Sequence, residues 1–143
     1  MRGLHLVHPA VVHVTVAFLT VGGLVEAFGI VRRKDAAERF GMVLVLVGTI
    51  ALLPTLATGF LARNALALAP VAAAAVDRHE RFGIMVLGVF LPLMLVRAWG
   101  RGRVPEGARV AYALGLLVGV ALTVVVAFLG GRMVYELGVG VRS

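Results

Sequence analysis

The residues of this chain that could do chemistry are few: four histidines, and an acid and a base set in apolar surroundings. His5, His8 and His13 cluster at the start of the first long apolar run, and His79 opens the third. Imidazole is the commonest metal ligand among side chains and titrates near neutral pH. An ionisable side chain within an apolar span is costly unless it is paired, which makes it a functional candidate by default. Spacing sharpens the reading. His8 to Glu26 is 18 residues, five whole turns of an α-helix, with Thr15 and Gly22 near the same line. His79 to Arg97 is again 18 residues, with Gly83, Val86 and Phe90 close to that line. Two parallel helices therefore offer matching groups at matching depth, His8 toward His79 near one surface and Glu26 paired with Arg97 near the other. His13 points about 140° away from His8 and lies about 7 Å deeper. Pro9 suits a first helical turn, which would leave His8 at the helix start. Depth then favours His13 as the partner of His79 and facing direction favours His8, and both stand as candidates.

Two histidines facing each other inside an apolar helical bundle are the axial ligand set of a b-type haem. Diagonal helices of a square bundle lie about 13 Å apart, which leaves room for the macrocycle. One haem b is expected rather than two, because a second would need His5 at the chain end. Arg78, Arg81, Arg132 and Tyr135 fall at the histidine end and could receive the propionates, guanidinium being suited to carboxylate. A zinc or copper ion is the alternative; it needs three or four donors around one point, from His8, His13 and His79 with help from His5, Asp77 or Glu80. There is no cysteine, which excludes thiolate sites and covalent haem attachment. No phosphate-binding loop, dinucleotide fingerprint or nucleophile arrangement occurs, and no residue is read as catalytic.

The elements that position these residues follow from composition. In 143 residues, 61% are hydrophobic, 15% are charged and the mean hydropathy is +1.02. A chain this small cannot hide that much apolar surface in a water-facing globule, so it is an integral membrane protein. A helical span needs about 20 apolar residues, and four segments qualify, at 9–31, 40–61, 71–99 and 108–129. Open sheets cannot cross a bilayer, and short links between successive helices give antiparallel neighbours. The expected fold is all-α: one domain over 1–143, a transmembrane four-helix bundle running up, down, up, down. An apolar, glycine-rich tail, 130–143, is expected to fold over the bundle mouth or onto a partner.

The net charge of +7 is not a nucleic-acid footprint, because the basic residues sit at the ends of the apolar runs. Eight of the 14 Lys and Arg, including Lys34, Arg97 and Arg109, lie at the two hydrophilic loops, and six lie at the other face. That bias puts the loops inside and both termini outside. The first run is too long for a signal peptide. Gly115 and Gly119 permit close helix packing, and Trp99 and Tyr112 read as interfacial aromatics. The tetrapeptide Glu-Arg-Phe-Gly at 38–41 and 80–83 is a coincidence of composition, since the later prolines Pro54 and Pro92 do not align.

The opening His8-Pro9-Ala10-Val11-Val12-His13, the lone His79, and the closing Gly131-Arg132-Met133-Val134-Tyr135 followed by Gly138-Val139-Gly140-Val141 resemble the bacterial membrane proteins of domain-of-unknown-function family 2231. The resemblance covers nearly the whole chain. It implies four spans, and for some members a link to redox neighbours, without an assigned activity. The family's small acidic residue late in the first span stands here as Glu26. Together these observations give the expected function: a small haem-b protein of the bacterial inner membrane, in electron transfer between quinol and an extracytoplasmic redox protein. The alternatives are a cofactor-free accessory subunit of a larger membrane complex or homo-oligomer, and a histidine-based zinc or copper site.

Overall fold

In the computed structural model, residues 4–64, 66 and 68–140 are described, with side chains from His8 onward. The His5 side chain thus lies outside the described residues. Four helices account for most of the chain: α1 (Leu4–Arg32), α2 (Asp35–Asn64), α3 (Pro70–Trp99) and α4 (Arg109–Tyr135), the last preceded by a 3₁₀ turn at Glu106–Ala108. Each is long and apolar enough to cross a membrane. Large apolar side chains such as Phe28, Ile50, Val110 and Phe128 point outward, a surface suited to lipid and not to water.

Two boundaries differ from the sequence expectation. α1 begins at Leu4, so Pro9 lies inside it and His8 is already a full turn in. A proline this near the start of the helix forfeits one backbone hydrogen bond and leaves the long run after it intact. α4 runs on to Tyr135, so residues 130–135 of the expected tail are helix. No proline halts the run, and the Arg132–Glu136 pair at 2.6 Å bridges the last turn. The chain then turns at Gly138 and Gly140, both at positive φ, and the Val139 N–H donates to the Met133 carbonyl at 2.9 Å.

α1 packs against α2 and α4, and α3 packs against the same two, which leaves α1 and α3 diagonal across the bundle. Leu19, Leu52, Val86, Phe90 and Leu116 fill the centre. The tightest seam is α1 on α2, where glycines bring the backbones together as small residues do in membrane bundles. A Cβ on Gly41 would stand 2.6 Å from Glu26 Cα, and one on Gly22 would stand 2.7 Å from Leu44 Cβ.

The two hairpins repeat each other. A shift of 71 residues carries His8 onto His79, Gly59 onto Gly130, and Leu24-Val25-Glu26-Ala27-Phe28-Gly29 onto Leu95-Val96-Arg97-Ala98-Trp99-Gly100. It also carries Leu46-Val47-Gly48 onto Leu117-Val118-Gly119. The packing repeats with it: a Cβ on Gly48 would meet Leu19 at 2.8 Å, and one on Gly119 would meet Phe90 at 2.7 Å. The Glu-Arg-Phe-Gly pair belongs to a different spacing and has no part in this register.

The α1–α2 seam gives a stability test. Gly41→Ala must push apart two backbones and is expected to cost about 1–3 kcal/mol or more, whereas Gly88→Ala enters open space and gains helix propensity. Thermal unfolding in detergent should show a clear loss for the first and none for the second. Equal midpoints would mean that the seam is not closely packed.

Candidate functional site

Both ends of the bundle gather polar side chains into an apolar interior. At one end Glu26, with no exposed surface, meets Arg97, which is 5% exposed. Arg97 Nε donates to Glu26 Oε1 at 2.8 Å, with Nη2 in ionic contact at 2.6 Å. Its Nη1 donates to Glu38 Oε1 at 3.0 Å, and the other Glu38 oxygen accepts from Arg109 Nη2 at 2.9 Å. The Arg97 guanidinium also lies 5.2 Å from the centroid of the Tyr112 ring, a cation–π distance. Two acids and two bases thus form one neutral set drawn from all four helices.

Local chain geometry delivers each member. α3 ends in a Schellman motif: the Gly102 N–H donates to the Arg97 carbonyl at 2.7 Å and the Arg101 N–H to the Ala98 carbonyl at 3.2 Å. Arg101 takes the left-handed position at φ 52° and Gly102 follows at φ 82°. The Arg97 side chain closes the same loop by donating from Nη1 to the Gly102 carbonyl at 2.9 Å. α1 ends in the same way, with Lys34 donating to the Gly29 carbonyl at 2.8 Å and Arg33 at φ 51°. That turn sets Glu38 in the first turns of α2, and Arg109 opens α4 with a further bond to the Ile30 carbonyl at 3.2 Å. Sequence reasoning identifies Glu26 and Arg97 and misses Glu38 and Arg109, which it places in or beside hydrophilic loops. The signal that finds them is the internal repeat, since the shift of 71 carries Glu38 onto Arg109.

At the other end His8 and His79, both half-buried, stand on the diagonal helices α1 and α3. His8 Nδ1 lies 3.1 Å from the Thr55 carbonyl and 3.1 Å from Thr58 Oγ1, both on α2. The His79 ring lies beside the Val126 carbonyl on α4, although no described group completes a hydrogen bond to its Nδ1. The shift of 71 carries Thr55 onto Val126, so the two rings sit in matching places. Each also lies against a glycine: a Cβ on Gly59 would stand 3.1 Å from His8 Cε1, and one on Gly130 would stand 3.2 Å from His79 Cε1. Below them the Thr15 and Thr55 hydroxyls share a buried hydrogen bond of 2.8 Å.

The other candidates are not brought in. His13 is exposed and its Nδ1 donates to the Pro9 carbonyl at 2.5 Å. Its outward direction follows from the roughly 140° that separates it from the inward His8. Arg78 and Arg81 are not drawn into the interior, Arg132 is bonded to Glu136, and Tyr135 is 90% exposed. The bond from Arg132 holds the exposed Glu136 carboxyl below its usual range. Asp77 and Glu80 both pair with Arg63, each at 2.5 Å. Among the described residues no three His, Asp or Glu side chains gather where they could hold a metal ion.

The sequence model of a family described as a predicted membrane protein (DUF2231) matches residues 4–143, and the chain belongs to that family. No curated protein and no solved structure matches it.

The charged end yields a double-mutant test. Glu26→Gln strands part of the Arg97 charge in a buried site, and breaking such a set is expected to cost about 3–5 kcal/mol. Removing both partners, Glu26→Gln with Arg97→Gln, should cost less than the two single changes predict by addition. Additive losses in thermal unfolding would mean that the two side chains do not share a bond.

Proposed function

We propose that the chain is a small b-type cytochrome of the bacterial inner membrane, with one haem b held between His8 and His79. The observation that carries this reading is the matched pair of imidazoles on diagonal helices, each turned inward and backed by the next helix along the chain. The Thr55 carbonyl accepts from His8 Nδ1, which fixes the tautomer and leaves Nε2 with its lone pair free. The Val126 carbonyl stands in the equivalent place for His79. Gly59 and Gly130 fit the same purpose, since any larger residue would press on the rings. Bound iron would supply a one-electron couple inside the membrane. The chain's own part is to hold two imidazoles at one depth, to keep water out with its apolar walls, and to bias the potential through the bond at His8 Nδ1.

Two further points favour one site over two. Ile84 stands where the repeat would place a partner for His13, and His13 faces outward. The zinc or copper reading lacks a third donor among the described residues. Arg78 and Arg81 lie exposed at the histidine end, so cationic donors for the propionates are near that surface. The proposed role is electron transfer between quinol and a redox protein on the outer side. The Lys and Arg bias supports a histidine end and two termini that face outward.

Absorption spectra of protein purified in mild detergent from haem-replete cells test this reading. The wild type is expected to give a Soret band and sharp α and β bands on reduction. His8→Ala and His79→Ala should each abolish the low-spin spectrum, and His13→Ala should leave it unchanged. A colourless wild type, or a His79→Ala protein with an unaltered spectrum, would refute it; a colourless protein carrying metal would favour the ion site.

A further inference from the structure

The internal repeat gives the buried charges a meaning that the single ion pair lacks. Under the shift of 71, Glu26 is equivalent to Arg97 and Glu38 to Arg109. Both positions are acidic in the α1–α2 hairpin and basic in the α3–α4 hairpin. The bonds run between the hairpins: Glu26 to Arg97, Arg97 to Glu38, and Glu38 to Arg109. No bond of this set stays within one hairpin. Two copies of the first hairpin, packed in the same way, would bring four carboxylates together, and two copies of the second would bring four guanidiniums together. Inside a bilayer either combination is prohibitive, because like charges would meet where neither is hydrated.

We propose that these four residues are a pairing code between two halves of a duplicated helical hairpin: the charged end of each hairpin is an interaction surface whose partner is the hairpin of opposite charge, and it rejects a like hairpin. Such a device combines attraction to the right partner with repulsion of the wrong one. The need for it follows from the duplication itself. Away from the charges the two hairpins are built on the same frame, with matching internal contacts of Leu19 on Gly48 and Phe90 on Gly119, so the apolar surfaces they offer a partner are alike. Apolar packing between such similar surfaces discriminates poorly, and lipid supplies no hydrophobic drive to sort them. Glu26 and Arg97 are 0% and 5% exposed, so their charges act at full strength and not as screened surface pairs. Arg97 ties the code to the chain turns by holding the Gly102 carbonyl, and Arg109 does so by holding the Ile30 carbonyl.

The test exchanges charges in the full-length chain and reads membrane accumulation and thermal unfolding. Replacing one half of the code, Glu26→Arg with Glu38→Arg or Arg97→Glu with Arg109→Glu, makes the hairpins alike and should lower accumulation by about tenfold or more. Exchanging all four, Glu26→Arg, Glu38→Arg, Arg97→Glu and Arg109→Glu, restores opposite hairpins and should recover most of the loss. Exchanging only Glu26→Arg with Arg97→Glu rebuilds one pair but sets a carboxylate on α3 against Glu38, so it should do worse than the fourfold exchange. The proposal is overturned if the fourfold chain fails as badly as the half exchanges, if the half exchanges accumulate normally, or if the single-pair exchange matches the fourfold one, since the charges would then act pair by pair.

Discussion

A charge in the bilayer interior must be met by an opposite charge on another helix or it will not be tolerated there. That constraint organises one end of this bundle. Glu26 and Arg97 sit in the last turns of α1 and α3, and Glu38 and Arg109 in the first turns of α2 and α4. All four helices must arrive at one point, in one rotation and at one height, for three salt bridges to form. The Schellman turns at Arg33 and Arg101 place the following helices accordingly, and the Gly41 approach lets α2 lie against the Glu26 backbone. The net charge of the set is zero, which is why it can be buried at all.

That lock fixes the far end of the bundle too. α3 runs as one helix from Arg97 back through Pro92 to His79, so a rotation set at Arg97 is carried about five turns along it. The same number of turns links Glu26 to His8 on α1. The proposed haem ligands therefore face each other because the ion pair beneath them does. The contacts at the histidine end refine this placement: Thr55 and Thr58 on α2 hold His8, and Val126 and Gly130 on α4 bound His79.

Much of this is legible in the residues. Four apolar runs become four helices, because length and hydropathy are decided by the bilayer and not by tertiary detail. The 18-residue spacings put His8 with Glu26 on one face of α1 and His79 with Arg97 on one face of α3, because helix rotation is close to constant. Glu38 and Arg109 are hidden because hydropathy assigns a charge beside a loop to the headgroups, whereas the turns here fold it inward. The helical extension through Gly130 and Gly131 is equally hard to see, since two glycines read as a stop in water while a bilayer-spanning helix carries them. His13 stands level with His8 as a candidate only while depth is counted from the helix starts; counted from the Glu26–Arg97 pair, His8 and His79 lie equally far along their helices, and His13 faces outward.

The most direct test of the proposed site is iron stoichiometry combined with electron paramagnetic resonance of the oxidised, purified protein. One iron per chain, with a single low-spin ferric signal of bis-imidazole character, is the expected result. Two irons per chain, a high-spin signal, or no iron would contradict a haem held between His8 and His79.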